Sequence, residues 1–298
     1  MSQCGKIPFM SIKKYLDQLQ DLSNRKIIIT GGTSGIGLSL VKHLLYKNAE
    51  VVILARNMTK ANDVKDRLIS TYPNAHISFI KYDQSDDQSI IEATKTIVKE
   101  HQDFYALIMN AGIFQNKKHL TYVDGICQTI KTNFVGLKVL LDNLLPYIKG
   151  EHRYIFQGSF VAGYRLKKIK SLKDKNISSW QQYLISKAGV ESLYYHYSLL
   201  DNKEQNFYLV EPGLTSTDII RDFNPVFKGA GTLFLKAFSH SSSKASLTAM
   251  LALQDDIKKN TYIVPRGFLT FMGYPKIKKF PNKRRKPDLY QMLEDISK

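Results

Sequence analysis

Short apolar runs and longer amphipathic stretches alternate along most of the chain. The run at 26–30 leads into a glycine-rich turn, and the stretch at 35–46 then repeats its apolar positions with the period of a helix. Near-continuous apolar strands that alternate with helices are typical of a parallel sheet with helices on both faces. The pattern therefore predicts an α/β fold built on a single doubly wound parallel sheet.

The same alternation continues to about residue 265 without a linker or an internal repeat, so we expect one domain. One long helix is predicted from about Tyr122 to Tyr147, with an interruption at Pro146. The other predicted elements are strands at 26–30, 51–55, 77–82, 106–109, 153–157, 207–210 and 262–264 and helices at 35–46, 58–72, 86–101 and 179–200.

Two segments flank the predicted domain, which we place at residues 25–275. Residues 1–24 form an N-terminal extension, and the spacing of Leu16 and Leu19 predicts that part of it is helical. Residues 276–298 form a basic C-terminal tail. We expect the extension to pack on its own domain and the tail to be solvated.

The net charge is +17, because 43 basic residues face 26 acidic ones. Such an excess can indicate nucleic acid, an anionic membrane surface or a phosphorylated ligand. No zinc-finger spacing, aromatic RNA-binding signature or helix-turn-helix pattern accompanies it, so nucleic-acid binding is not expected. Peripheral membrane contact through the extension and the tail stays open as a less favoured alternative.

The chain shows neither an apolar run long enough to span a bilayer nor a secretory signal at its start. Its cysteines, Cys4 and Cys127, lie far apart, which argues against a disulfide framework or a cysteine-rich metal site. We therefore expect a cytoplasmic protein and predict no metal.

The sequence Thr30-Gly-Gly-Thr-Ser-Gly-Ile-Gly37 lies between the first strand and the first core helix. Glycines there permit a tight turn and let a pyrophosphate approach the backbone, while the helix N-terminus offers free N–H groups. This position makes the motif a candidate dinucleotide site. The residues expected to hold the cofactor are Thr30, Gly31, Thr33, Ser34, Gly35, Ile36 and Gly37.

The residue after the second strand favours NADP(H) over NAD(H). An acidic side chain at this point accepts hydrogen bonds from the ribose hydroxyls of NAD, whereas a basic one suits the 2′-phosphate of NADP. The strand that ends at Ala55 is followed by Arg56 and Asn57, and a guanidinium matches a phosphate well.

Tyr183 and Lys187 are four residues apart, which places the phenol and the ammonium on one face of a helix. A nearby cation stabilises the phenolate and lowers the pKa of the tyrosine, so that it can act as an acid or base. Ser159 follows a predicted strand and so brings a hydroxyl to the carboxyl edge of the sheet, where ligands bind.

The ordered motifs Thr-Gly-x-x-x-Gly-x-Gly, Asn-Ala-Gly, a helix Asn, a strand-end Ser, Tyr-x-x-x-Lys and Pro-Gly resemble the short-chain dehydrogenase/reductase family over about residues 25–265. The resemblance implies a Rossmann-type fold with Tyr183 as proton donor. It further implies that Lys187 lowers the pKa of Tyr183 and binds the nicotinamide ribose, that Ser159 polarises the carbonyl, and that Asn133 holds a water. Cofactor contacts are implied for Asp83, Asn110, Ala111, Gly112, Tyr183, Lys187, Pro212, Gly213 and Thr217.

Ser159 and Tyr183 are separated by a lysine-rich insertion at about 164–178, which is longer than in common family members. This spacing is similar to that of the retinol-dehydrogenase-like branch, although retinol is not inferred as the substrate. The resemblance also implies a substrate lid at about 213–245. Its aromatic residues favour a hydrophobic substrate, or they simply pack a helix onto the sheet.

We therefore expect an NADP(H)-dependent oxidoreductase that interconverts a small carbonyl compound and an alcohol, with Tyr183 as general acid or base. The alternative is a non-catalytic NADP(H)-binding sensor or scaffold protein. An oligomer is compatible with the sequence.

Overall fold

The computed structural model of the protein describes residues 10–200, 204–215, 240–267 and 270–297. Within these residues, eight strands form one sheet and two short strands form a separate hairpin. The strands are β1 (Lys26–Thr30), β2 (Glu50–Ala55), β3 (Ile77–Lys81), β4 (Ala106–Met109), β5 (Tyr122–Val123), β6 (Ile126–Cys127), β7 (His152–Gln157), β8 (Gln205–Val210), β9 (Thr261–Pro265) and β10 (Pro275–Lys278).

The strand order of the large sheet is β3-β2-β1-β4-β7-β8-β9-β10. Neighbouring strands are parallel except β9 and β10, which pair antiparallel. The chain runs outward from β1 to β3 and then returns to place β4 on the other side of β1. The carboxyl ends of β1 and β4 thus form the switch point at which open α/β sheets bind ligands.

Helices cover both faces of this sheet, as the sequence predicts, and the doubly wound α/β fold is confirmed. Successive strand residues point to opposite faces, so Ile28 enters one apolar layer and Ile29 the other. The helices are α1 (Ile12–Asp17), α2 (Gly35–Tyr46), α3 (Met58–Thr71), α4 (Asp87–Glu100), α5 (Gln128–Ile130), α6 (Gly136–Leu144), α7 (Ser179–Ser198), α8 (Ser242–Ala245), α9 (Leu247–Ala252) and α10 (Pro287–Ser297). None of these helices is long and apolar enough to cross a membrane.

Side-chain caps fix where several helices begin. Asn57 accepts a hydrogen bond from the backbone N–H of Lys60 at 2.9 Å, and Ser178 accepts one from that of Gln181 at 3.3 Å. Each cap satisfies a backbone donor that the first helical turn leaves without an intrahelical partner. The cap at Ser178 sets the register of α7, which carries Tyr183 and Lys187.

The prediction of one helix from Tyr122 to Tyr147 is wrong at its start. The hairpin β5–β6 occupies the first residues, and helical structure begins only at Gln128. The reason is the pair Asp124 and Gly125, whose φ angles of 53° and 79° form a tight turn that favours glycine.

The described part of the N-terminal extension packs on the domain. Leu16, Leu19 and Leu22 are buried in the same apolar layer as α2 and α9. Gln20 also donates a hydrogen bond through Nε2 to the carbonyl oxygen of Leu253 at 2.9 Å. Two of the side chains that a membrane contact would use, Leu16 and Leu19, are therefore not exposed.

The C-terminal segment differs from the expected solvated tail. Its first residues form the edge strand β10, and Leu289 and Leu293 of α10 are buried in the layer that contains α6 and α7. Arg284 is also buried, at 8% exposure, whereas Lys278 and Lys283 are exposed. These contacts join residues that are distant in sequence, so the local pattern of lysines and prolines does not indicate them.

Candidate active site

The glycine-rich turn after β1 is tied to the chain that follows β4. Asn110 Nδ2 donates hydrogen bonds to the carbonyl oxygens of Thr30 at 3.0 Å and Gly31 at 3.2 Å. The backbone N–H of Ala111 donates to Thr30 Oγ1 at 2.9 Å. A Cβ atom on Gly37 would lie 2.2 Å from the Gly31 carbonyl oxygen, so only glycine lets α2 come this close to the turn.

The first turn of α2 faces this edge of the sheet. The helix begins at Gly35, and the Ser34 side chain makes no capping hydrogen bond to it. The first backbone N–H groups of a helix have no intrahelical partner and carry its positive dipole end, so they can receive a phosphate. Of the predicted residues, Ile36 belongs to this first turn and Thr33 lies just before the helix.

Ser159, Tyr183 and Lys187 come together at the carboxyl edge of the sheet. The hydroxyl of Ser159, just beyond β7, is hydrogen-bonded to that of Tyr183 on α7. Lys187 lies one helical turn further along and donates through Nζ to the Gln157 carbonyl oxygen at 3.4 Å. All three side chains are buried. The three residues that the sequence places in one site are thus neighbours in the fold.

Asn133 lies in a π-helical segment, Lys131–Val135, between α5 and α6. Its Oδ1 atom accepts from the backbone N–H of Ile113 at 2.7 Å. Its Nδ2 atom donates to the Ile113 carbonyl at 2.8 Å and to Ser186 Oγ at 3.0 Å. The side-chain amide therefore braces the loop after β4 against α7, directly beside the Tyr183 and Lys187 turn.

Burial controls the ionisation of the two titratable groups in this cluster. It raises the pKa of Tyr183 to about 12, against the opposing effect of the Ser159 hydrogen bond. Burial also lowers the pKa of Lys187 to about 8, although the Glu191 carboxylate opposes this change. Both shifts follow from the cost of holding a charge away from water.

Aromatic and aliphatic side chains pack around the ring of Tyr183. The Tyr183 ring lies 5.4 Å from that of Phe114 and 6.0 Å from that of Trp180, between ring centroids. Phe160, Val161, Leu166 and Leu184 also belong to this cluster. These residues are not among the predicted site residues, although Trp180 precedes Tyr183 by three positions on one helix and therefore shares its face. The lid is predicted at about 213–245, and its aromatic residues fall within 216–239, which lies outside the described residues.

Arg56 is exposed at the carboxyl end of β2, where the sequence predicts contact with a 2′-phosphate. A second cation lies beside it, because Lys81 Nζ donates a hydrogen bond to the carbonyl oxygen of Arg56. The sequence analysis missed Lys81, which the register of β2 and β3 places next to Ala55. Asp83 Oδ1 accepts hydrogen bonds from the backbone N–H and the hydroxyl of Ser85.

The remaining predicted positions lie around the same edge. Gly112 borders the cluster, since a Cβ atom there would lie 3.3 Å from Lys187 Nζ. Pro212 and Gly213 follow β8, and Thr217 lies outside the described residues. In the insertion at 164–178 the lysines are exposed, while its aliphatic residues Ile169, Leu172 and Ile177 are buried and anchor the loop to the domain.

A doubly wound parallel sheet with a glycine-rich turn at its switch point defines a dinucleotide-binding α/β protein. The family model described as short chain dehydrogenase matches residues 25–226, which is more than half of the chain. The chain therefore belongs to the short-chain dehydrogenase/reductase family.

Named relatives agree with this membership. The chain is 30% identical over 259 residues to the chloroplastic short-chain dehydrogenase TIC 32 B of Brassica napus, covering 80% of this chain and 78% of that protein. Over 121 residues it is 35% identical to the 3-keto-steroid reductase/17-beta-hydroxysteroid dehydrogenase 7 of Rattus norvegicus, covering 40% of this chain and 36% of the relative.

Solved structures share the fold. An uncharacterised protein from Mycobacterium Paratuberculosis superimposes with a TM-score of 0.72 at 16% identity, over 95% of both chains. A short chain dehydrogenase from Shigella flexneri 2a, solved in complex with NADP, gives a TM-score of 0.65 at 16% identity over 82% of this chain and 98% of that one.

Proposed function

We propose that the protein is an NADP(H)-dependent oxidoreductase that interconverts a hydrophobic carbonyl compound and an alcohol, with Tyr183 as the general acid or base. The observation that carries this proposal is the contact between the Ser159 and Tyr183 hydroxyls, with Lys187 one helical turn away. The position of this cluster at the carboxyl edge of the sheet supports the same conclusion.

A bound nicotinamide cofactor would supply or accept the hydride. In reduction, the Tyr183 hydroxyl donates its proton to the carbonyl oxygen of the substrate, and the Ser159 hydroxyl hydrogen-bonds to the same oxygen. Because burial raises the pKa of Tyr183 to about 12, the phenolate needs a cation to become accessible. The ammonium of Lys187 is that cation, and it lowers the barrier to proton transfer.

For Asn133 we propose a bracing role. Both ends of its side-chain amide already bind Ile113 and Ser186. Any water that this residue holds would therefore be bound mainly by its backbone carbonyl. The π-helical segment around it is of a kind that occurs frequently at functional sites.

The preference for NADP(H) is supported by two cations, Arg56 and Lys81, at the adjacent carboxyl ends of β2 and β3. A guanidinium and an ammonium can together hold a 2′-phosphate, whereas neither replaces the carboxylate that binds a ribose diol. The NADP complex of the Shigella flexneri structure concerns that protein, and it shows that the shared fold accommodates this cofactor.

The preference for a hydrophobic substrate is supported by the rings of Phe114, Phe160 and Trp180 around Tyr183. The rat relative is named as a reductase of keto steroids, which are apolar carbonyl compounds, and that name describes the relative. The retinol-dehydrogenase-like branch and a cytoplasmic location stay predictions, and the Brassica relative is itself named as chloroplastic.

The deciding experiment measures NADPH oxidation with a panel of apolar aldehydes and ketones, for the wild type and for Tyr183→Phe. Turnover by the wild type alone supports the oxidoreductase. Equal turnover by both proteins contradicts the assigned role of Tyr183. NADPH binding without turnover of any compound favours a non-catalytic NADP(H)-binding protein.

A further inference from the structure

Arg284 reaches into the interior from the short 3₁₀ segment after β10. Its Nε atom donates to Glu191 Oε2 at 2.8 Å, and its Nη1 atom donates to the Tyr262 hydroxyl at 2.8 Å. Its Nη2 atom bonds to Glu191 Oε1 and to Glu211 Oε1 and donates to the Ser159 carbonyl oxygen at 3.1 Å. One guanidinium thus joins four groups from four separate parts of the chain.

The two carboxylates at this cluster are fully buried. Glu191 and Glu211 are both 0% exposed, and the Tyr262 hydroxyl donates a hydrogen bond to Glu211 Oε1 at 2.7 Å. A buried carboxylate without a partner is strongly destabilising, and a planar guanidinium is the side chain best shaped to hold two of them. Arg284 is therefore the cation that stabilises the buried carboxylates of Glu191 and Glu211.

Three of the four groups that Arg284 holds, namely Ser159, Glu191 and Glu211, are adjacent to the candidate active site. Ser159 belongs to the site itself, and Arg284 binds its backbone carbonyl oxygen. Glu191 lies one helical turn beyond Lys187 on α7, and its carboxylate raises the pKa of that lysine. Glu211 immediately precedes Pro212, which borders the cofactor edge.

We propose that Arg284 is a positioning residue for the oxidoreductase reaction, fixing the Ser159 backbone and the Lys187 turn of α7 in one arrangement. It touches neither substrate nor cofactor and acts through the residues that do. The inference rests on the proposed function, since the reaction is what the arrangement serves. Charge neutralisation alone would not require the bond to Ser159, and this difference can be tested.

The test compares Arg284→Met, the double variant Arg284→Met/Glu211→Gln and the control Lys283→Met, which changes an exposed neighbour. Arg284→Met lowers both the melting temperature and kcat, because two buried carboxylates lose their cation. The double variant removes one of these carboxylates, so its melting temperature recovers toward that of the wild type. Its kcat stays lower by about tenfold or more, because the Ser159 carbonyl still lacks its donor.

The inference is decided by whether kcat and the melting temperature change separately in the double variant. KM for NADPH should stay within about twofold of the wild type in the double variant, since the glycine-rich turn is untouched. Recovery of kcat together with the melting temperature would overturn the inference, and so would an equal loss in Lys283→Met. If Arg284→Met does not fold, the double variant and the control still give this comparison.

A second readout needs no turnover. Trp180 is the only tryptophan of the chain, and it shares an apolar cluster with Phe160 and Val161, which follow Ser159. Release of the Ser159 carbonyl should increase the quenching of Trp180 fluorescence by acrylamide in the double variant and not in Lys283→Met. A wild type that reduces no carbonyl compound would refute the proposed function, and unchanged quenching would then refute the positioning role separately.

Discussion

The carbonyl oxygen of Gly31 occupies the space into which a side chain on Gly37 would project, with only 2.2 Å between that oxygen and the Cβ position. The contact joins the glycine-rich turn to the first turn of α2. A side chain at position 37 would force the turn to move, because the opposing atom belongs to the backbone and cannot rotate away. The contact therefore limits the geometry of the candidate cofactor site.

Gly37→Ala should therefore weaken NADPH binding by about tenfold or more and lower the melting temperature, since the turn must move to admit a methyl group. Fluorescence titration with NADPH and thermal unfolding measure the two effects. Ser39→Ala, on the same helix, is the matched control. Equal NADPH affinity in Gly37→Ala and the wild type would contradict the predicted role of this turn.

Tyr183→Phe should reduce kcat by about 10²–10⁴-fold, which is the usual contribution of a positioned general acid. NADPH affinity should change little, because the phenylalanine keeps the ring contacts with Phe114 and Trp180. Steady-state kinetics and a binding titration separate the two quantities. Tyr195→Phe on the same helix serves as control, and a comparable loss of kcat there would argue against a specific role for Tyr183.

Arg56→Asp should shift the cofactor preference from NADPH toward NADH. The carboxylate repels the 2′-phosphate and accepts hydrogen bonds from the ribose hydroxyls, so the ratio of kcat/KM for the two cofactors should change by about tenfold or more. Arg67→Asp makes the same charge change on the exposed face of α3. If both variants give the same ratio, the effect is one of net charge and the assignment of Arg56 is wrong.

The rate of reduction should fall as the pH rises through about 8. Burial lowers the pKa of Lys187 to about 8, and above that pH the lysine loses the ammonium charge that assists Tyr183. Glu191→Gln removes the carboxylate that raises this pKa, so the alkaline limb of the kcat profile should move to lower pH. Besides Lys187, the charged and titratable groups that face Glu191 are Arg284 and Glu211, with Tyr262 bound to both.

Glu92→Gln, at an exposed site on α4, is the control for that profile. It should leave the alkaline limb in place. A shift of the Glu191→Gln profile to higher pH would mean that the carboxylate does not support the ammonium form of Lys187.

Acid should destabilise the protein through His43 on α2. Burial lowers the pKa of His43 from 6.5 to about 4, and its ring nitrogens lie 2.9 Å from Ser243 Oγ and 3.1 Å from Ser246 Oγ. Between these pH values the unfolded chain binds the proton and the folded chain does not, so the free energy of unfolding falls as the pH is lowered. The full effect is about 3–4 kcal/mol.

Urea unfolding at several pH values between about 4 and 6.5 measures this slope. His43→Gln should flatten it, whatever the variant does to absolute stability. The exposed His76→Gln should leave the slope as it is, and an unchanged slope in both variants would show that other groups cause the acid sensitivity.

The sequence predicts the sheet well because its information is local. Each buried strand is recognised by its apolar run. Tyr183 and Lys187 share a face because their spacing matches one helical turn. The residues Asp124 and Gly125 are an equally local turn signal, and the predicted helix is wrong at its start because their turn joins β5 to β6.

The cluster around Arg284 could not be predicted in this way. Its partners Glu191 and Glu211 are distant in sequence, and nothing near Arg284 distinguishes it from the exposed Lys283. Only the pairing of β10 with β9 brings the guanidinium beneath Ser159. Ion pairs between residues distant in sequence produce no periodic pattern along the chain. Their partners can therefore be identified only in the folded structure.

The position of Arg284 also constrains the order of events during synthesis. This residue follows β10, the last strand of the described sheet, so it leaves the ribosome after every other group in its cluster. The strands β1 to β4, with the glycine-rich turn, can assemble much earlier. During synthesis, Glu191 and Glu211 are therefore present for an interval before the cation that neutralises them has been made.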